Sequence, residues 1–337
     1  MDPIAPADPA SVLFAAEALL VRLEDLQSHL PQLLEPSDDE PVHQTRVVCR
    51  RLRSAFGLFS GCFAENDLRR WDRRVRRLAR TLGRARDLDV QRAFVEKFIP
   101  TLPDPMTRPG LERLRLRLAQ RRAKAQHALG RKLRRFDARH GVADLELSLR
   151  EAAVRARLSA GAATPTWLLA VGGQRVVELI EHLLVYEPFV DDPKRIDELH
   201  DMRIAAKHLR YALETISPLH EGQLHAPIDA ARTVQKMLGE IHDCDVWIAF
   251  LPTFIDRERK RTRRFLGHAK GFRRIARGLE ALLADRREVR ERRHAEFVEF
   301  WHRACGDELW RDLRTVMVGE PVAERPRPTV DAHRLSD

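Results

Sequence analysis

Two copies of one motif, 157 residues apart, constrain this chain more than any other feature of its sequence. The stretches His43–Ala55 and His200–Ala212 carry His, Arg, a second base, Leu, Arg and Ala at the same offsets. A Leu-Gly-x-x-x-Asp-x-Asp-Val element follows each copy, starting at Leu82 and at Leu238, with an offset of 156 residues. Two matches in the same order at nearly one offset predict an internal duplication, with halves of about 150 residues each.

Residue usage and chain punctuation predict an all-α fold. Aromatic residues make up 6% of the chain, and its 16 Gly and 19 Pro are few and clustered, which favours helices over sheets. Pro-rich and acidic stretches separate the candidate helices, and the two ends, 1–8 and 319–337, are predicted to be disordered. The helices group into a first four-helix half at 9–160 and a second at 161–318. They are expected near 9–30, 40–62, 66–98, 110–140, 165–187, 194–217, 227–250 and 256–316.

The charge balance predicts a polyanionic partner. The chain has 60 Lys and Arg against 50 Asp and Glu, a net charge of +10, and 52 of the bases are Arg. Arg presents a planar, permanently charged fork of donors that fits phosphate oxygens. Nucleic acid, an anionic membrane and another phosphate-rich ligand are therefore the candidate partners.

Cysteine spacing and the N-terminal sequence argue against several other classes. The four Cys lie far apart with no C-x-x-C pair, so neither a disulfide framework nor a zinc knuckle is predicted. The chain starts without a basic region followed by an apolar one, and no apolar run reaches the length of a bilayer span. We therefore expect a cytoplasmic protein with no membrane insertion, no metal and no cofactor.

The repeated motif places basic side chains along one face of a helix. Offsets of 0, 3, 7 and 10 residues fall on one stripe, about 15 Å long at a rise of about 1.5 Å per residue. Like charges in such a row cost roughly a few tenths of a kcal/mol per pair. A single copy is typical of a solvated charged face, but two copies at matching positions predict an anionic ligand. The two rows are His43, Arg46, Arg50 and Arg53, and His200, Arg203, Lys207 and Arg210.

Two interpretations stay open for the histidines of these rows. His43 and His200 bind the anion when protonated, so that affinity rises as pH falls, or they are buried neutral side chains with a structural role. The repeated aspartates are expected to orient neighbouring Arg side chains or to cap turns rather than to contact an anion. These aspartates are Asp87, Asp89, Asp243 and Asp245.

Three further stretches, 69–86, 113–135 and 257–277, add positive charge. The first contains nine Arg and one Asp, too one-sided for surface ion pairs to neutralise it. Leu residues keep the helical period within the stretches, which predicts folded amphipathic helices. An offset of 156 residues pairs Arg76 with Arg232, Arg80 with Lys236, Arg117 with Arg273, and Arg121 with Arg277.

These residues resemble the CHAD domain, an all-helical family named for its histidines. The resemblance rests on the His-x-x-Arg-x-x-x-Arg/Lys-x-Leu-Arg helix and the Leu-Gly-x-x-Arg-Asp-x-Asp-Val element, and it covers residues 10–316. It implies two four-helix bundles related by pseudo-twofold symmetry, with a central basic groove or pore that binds inorganic polyphosphate. It also implies the stand-alone form, because the Glu-x-Glu-x-Lys motif of a fused triphosphate-tunnel domain is absent. The second copy has Glu240 and His242 where the first has Arg84 and Arg86, which predicts a lopsided charge.

We expect non-catalytic binding of inorganic polyphosphate, association with polyphosphate granules, and granule proteins as further partners. Two other functions stay open: a metal-dependent phosphohydrolase that uses the pairs His200-Asp201 and His242-Asp243, and general nucleic-acid binding through phosphates. Nucleic acid is less favoured because aromatic residues for base stacking are scarce along the basic helices. The predicted polyphosphate-binding residues are His43, Arg46, Arg50, Arg53, Arg76, Arg80, Arg84, Arg117, Arg121, His200, Arg203, Lys207, Arg210, Arg232, Lys236, Arg273 and Arg277.

Overall fold

The computed structural model describes residues 6–34, 40–137, 142–161, 163–304 and 307–318. In these ranges the regular structure is entirely helical, which confirms the predicted all-α class. Short 3-10 turns join some of the helices. The α-helices are α1 (Pro9–His29), α2 (Glu40–Leu58), α3 (Glu65–Phe98), α4 (Arg108–Asp137), α5 (Ala143–Ala160), α6 (Thr166–Leu184), α7 (Ile196–Ile216), α8 (His225–Leu266), α9 (Phe272–Ala304) and α10 (Asp307–Val318).

The predicted helix count needs a correction, because the described residues form five α-helices on each side of residue 160. Helix α5 was not predicted; it packs against α1 and buries Leu145, Leu149 and Ala153. Helix α10 is separate from α9, although the sequence predicted one helix over 256–316.

Helix α8 also differs from the prediction, since it is one helix of 42 residues where a break near 250–256 was expected. It continues through Pro252, between the buried side chains of Leu251 and Phe254. A proline in a helix interior removes one backbone hydrogen bond. Packing of the apolar neighbours offsets that loss here.

The chain start departs from the predicted disorder at residues 6–8, which lie inside the described ranges. Asp8 accepts a hydrogen bond from the backbone N–H of Ser11 at 2.8 Å and so caps α1. It also accepts one from the backbone N–H of Trp167 at 2.8 Å, which joins the start of α1 to the start of α6. The rest of the predicted disorder, in 1–5 and 319–337, lies outside the described residues.

The hydrophobic core extends across the predicted boundary between the halves. Its larger cluster combines side chains from both sides of residue 160, among them Leu52, Leu149, Leu209 and Trp301. A second cluster joins the end of α3 to α4, α8 and α9. The two halves are therefore held together by shared apolar packing.

Helices α4 and α9 approach each other closely at two glycines. A Cβ atom at Gly110 would lie 2.1 Å from the carbonyl oxygen of Ile275, and one at Gly278 would lie 1.9 Å from that of Thr107. The two contacts correspond to each other, because Gly278 lies 168 residues after Gly110 and Ile275 lies 168 residues after Thr107. The predicted offset of 156 residues does not align α4 with α9. Helix α3 ends at Phe98, whereas α8 continues twelve residues beyond Phe254, the counterpart of Phe98, and this extension changes the offset to 168.

Two buried ion pairs repeat between the halves, with the arginines 168 residues apart and the aspartates 156 residues apart. Arg122 of α4 donates to Asp89 at 2.5 Å, and Arg290 of α9 donates to Asp245. The aspartates are the second Asp of each Asp-x-Asp element. As predicted, they contact Arg side chains, here between helices.

Candidate functional site

The two repeated helices, α2 and α7, pack against each other and bring their basic rows together. Lys207 of α7 is surrounded by Arg203 of its own helix and by Arg50, Arg53 and Arg46 of α2. Burial, followed by these four positive charges, lowers the pKa of Lys207 to about 8. The rows predicted from the motif thus form one basic groove.

In the described part of the chain, no carboxylate lies within ion-pair distance of the central cations of the groove. Within the described ranges, Arg50, Arg203 and Lys207 form no side-chain hydrogen bond or ion pair, and Nε of both arginines is buried without a partner. Buried polar atoms are normally satisfied, so these donors are available to a ligand. Burial lowers the pKa of Arg203, Asp243 opposes that effect and Arg50 adds to it.

The Leu-Gly-Asp element positions Arg46. Its Nη1 donates to the carbonyl oxygen of Ala79 at 3.2 Å, and a Cβ atom at Gly83 would lie only 2.8 Å from that nitrogen. Gly83 therefore lets Arg46 lie against α3. Burial raises the pKa of the nearby Asp87, and the charges of Arg46 and Arg86 oppose the rise.

The outer ends of the rows are partly neutralised by carboxylates. Asp72 of α3 accepts from Arg53 at 2.7 Å and from Arg76 at 2.8 Å. In the second half, one carboxylate lies near both Arg210 and Arg232, the counterparts of Arg53 and Arg76. It is that of Glu214, which lies 3.5 Å from Arg210 and 3.7 Å from Arg232.

The groove histidines are held in their neutral form near pH 7. Burial, followed by the charge of Arg86, lowers the pKa of His43, and burial followed by Arg203 lowers that of His200. His200 Nδ1 lies 3.1 Å from Nδ1 of His242, whose pKa burial and the same Arg203 lower to about 4. A neutral His242 thus stands where the first half has Arg86, in agreement with the predicted charge difference.

A cavity of about 250 Å³ opens from the groove between α2, α6 and α7. Arg50, Arg53 and Lys207 line it, together with two bases that the sequence reasoning missed, Arg175 and His208. Arg175 supplies an added permanent positive charge.

Comparison with known proteins gives the family. The model of the CHAD domain family matches residues 17–252, more than half of the chain. The chain belongs to the CHAD family. The crystal structure of the CHAD domain from the plant Ricinus communis has the same fold, with a TM-score of 0.58 and 23% identity over 94% of each chain. No curated protein matches the chain.

Seven of the predicted site residues of this CHAD chain lie outside the groove between α2 and α7. Arg117 donates to the buried Glu258 at 3.1 Å, a structural ion pair between α4 and α8. Arg121 lies over the ring of Phe250, 5.6 Å from its centre, and near Arg84. The others are Arg277, which pairs with Asp104 at 2.8 Å, Arg80, which lines a separate cavity on α3, and the exposed Lys236 and Arg273.

The residues of the phosphohydrolase alternative are only partly brought together in the CHAD fold. His200 and His242 meet, while Asp243 interacts with Arg203 and Asp201 is exposed. Over the ranges described, no three His, Cys, Asp or Glu side chains cluster as a metal site requires. The described helices also include none that is long and apolar enough to cross a membrane.

Proposed function

We propose that the groove between α2 and α7 binds inorganic polyphosphate and does not hydrolyse it. The observation that carries the proposal is Lys207, which faces Arg46, Arg50, Arg53 and Arg203. Holding these charges together costs free energy in the folded protein, and a polyanion recovers it. Rigid helices present the donors at fixed spacing, which suits a ligand with one charge on every phosphate.

The shape and lining of the groove favour polyphosphate over nucleic acid. The cavity has a volume of about 250 Å³, and among its described lining residues Tyr211 is the one Phe, Tyr or Trp. A duplex is too wide to enter a space of this size, and single strands are usually held on several stacking aromatic side chains. A chain of phosphates without bases needs neither width nor stacking.

The binding test compares two double variants with equal charge change. Arg50→Gln with Arg203→Gln removes two unpaired groove cations, and Arg287→Gln with Arg292→Gln removes two exposed cations of α9. A desolvated charge-assisted contact contributes about 1.5 kcal/mol or more, so the groove variant should bind polyphosphate about 100-fold more weakly. Isothermal titration calorimetry with long-chain polyphosphate and with duplex DNA, at matched phosphate and salt, measures the affinities.

Three outcomes would contradict the proposal. Equal losses in the two variants would mean that only net charge matters, and equal affinity for duplex DNA would indicate a general polyanion binder. Phosphate released from polyphosphate on addition of Mn²⁺ would make the paired histidines part of an active site. Association with cytoplasmic polyphosphate granules is expected to follow from the same groove, and the groove variant should lose it.

A further inference from the structure

A second basic cavity lies between α3 and α4, and it shares no described lining residue with the cavity that opens from the groove. Its volume is about 850 Å³, within the range of small-molecule sites, which is about 300–1,000 Å³. Its floor is apolar and is made by Leu78, Leu133 and Phe136. The surrounding bases are Arg70, Arg73, Arg74, Arg76, Arg77, Arg80, Lys132 and Arg135.

Most of these bases are not neutralised by the protein. Three have carboxylate partners: Arg70 pairs with Asp67 at 2.9 Å, Arg74 with Asp144 at 2.8 Å, and Arg76 with Asp72 at 2.8 Å. The others form no ion pair within the part of the chain that the structure describes. They are Arg73, Arg77, Arg80, Lys132 and Arg135.

The duplicated helix shows that the fold does not require these arginines. At the offset of 156 residues α8 forms the same kind of helix with small or acidic residues at four of these positions, while Arg76 and Arg80 have the basic counterparts Arg232 and Lys236. At the offset of 168 residues Leu133 corresponds to Trp301, a large side chain that is fully buried. The basic cavity is thus particular to the first half. The counterparts of Arg70, Arg73, Arg74 and Arg77 are Ala226, Asp229, Ala230 and Thr233.

We propose that this cavity binds a nucleoside triphosphate, with the phosphates on the arginines and the base on the apolar floor. The unpaired cations match the charge of a triphosphate, and Arg offers forked contacts to phosphate oxygens. Phe136 offers a ring on which a base stacks. Inorganic polyphosphate, the ligand proposed for the groove, has no apolar part and leaves this floor unused.

The test titrates the full chain with ATP, tripolyphosphate and adenosine. ATP should bind at one site, about tenfold or more tightly than tripolyphosphate, because only ATP uses both the arginines and the floor. Arg73→Gln with Arg77→Gln should weaken ATP binding about tenfold or more, and Phe136→Leu should reduce the preference for ATP over tripolyphosphate. The control Arg287→Gln with Arg292→Gln should leave ATP binding unchanged.

The groove variant, Arg50→Gln with Arg203→Gln, separates this proposal from the proposed function. It should lose affinity for long-chain polyphosphate and keep its affinity for ATP. Loss of ATP binding in the groove variant alone would place ATP in the groove, and equal affinity for ATP and tripolyphosphate would reduce the cavity to an anion site; either result would overturn the proposal. Matched thermal unfolding of all variants shows that a loss of binding is not a loss of fold.

Discussion

Replacing Lys207 by Met should stabilise the protein and weaken polyphosphate binding at the same time. The pKa of Lys207 is about 8 in the folded protein and 10.5 without its surroundings. That difference corresponds to about 3 kcal/mol of unfavourable burial and repulsion for the charged form. Met keeps the unbranched side chain without the charge, so Lys207→Met should raise the free energy of unfolding at pH 7 by up to about 3 kcal/mol.

The pH dependence of this gain follows from the direction of the pKa change. Between pH 8 and pH 10.5 the unfolded chain keeps the Lys207 proton and the folded protein releases it, so wild-type stability rises with pH in this window. The advantage of Lys207→Met should therefore be complete below pH 8 and absent near pH 10.5.

Urea unfolding followed by circular dichroism at pH 7 and pH 10.5 measures the effect. Lys236→Met removes one exposed positive charge from α8 and serves as the control, with no change in stability expected at either pH. A Lys207→Met protein that is less stable than wild type at pH 7 would refute the reasoning, because Lys207 would then have a stabilising partner. An advantage of equal size at both pH values would refute it too.

Three further predictions rest on the same structure. Polyphosphate affinity should fall as pH rises through about 8, because Lys207 loses its proton there. Protonation of His43 and His200 should increase the affinity only below their ordinary pKa of 6.5, and calorimetry from pH 5 to 9 measures both effects. Gly83→Ala should displace Arg46 and weaken polyphosphate binding, while Gly239→Ala at the repeated position, with nothing within 4 Å of its Cβ, should bind like wild type. Arg122→Ala removes the guanidinium that pairs with the buried Asp89 and should lower the free energy of unfolding by about 3 kcal/mol. Urea unfolding measures this change, and unchanged stability would contradict a structural role for the ion pair.

The groove was predictable because helical periodicity and duplication act together. Offsets of 0, 3, 7 and 10 residues fix which side chains share a helix face, and the repetition of the row predicts that this face binds a ligand. The structure places Arg46, Arg50 and Arg53 of one row near Lys207 of the other, which neither copy shows alone. The second copy supplied the other wall of the site.

Other parts of the site had no signal in the sequence. Arg175 lies on α6, which carries no repeated motif, so only the fold brings it to the groove. Arg117 was predicted to bind phosphate, but its partner Glu258 is 141 residues away in the chain. The register of α4 and α9 depends on the length of α8, and the expected break at Pro252 concealed that length.

The ionisation of Lys207 tests the central claim most directly. The chain has eight Lys, so the ¹³Cε signals of labelled lysines can be followed by NMR, and the Lys207→Met variant assigns the one that matters. In the free protein this signal should titrate near pH 8. With long-chain polyphosphate bound, its pKa should rise toward or above 10.5, because the anion favours the charged form. A pKa that stays the same with polyphosphate bound would contradict binding in the groove between α2 and α7.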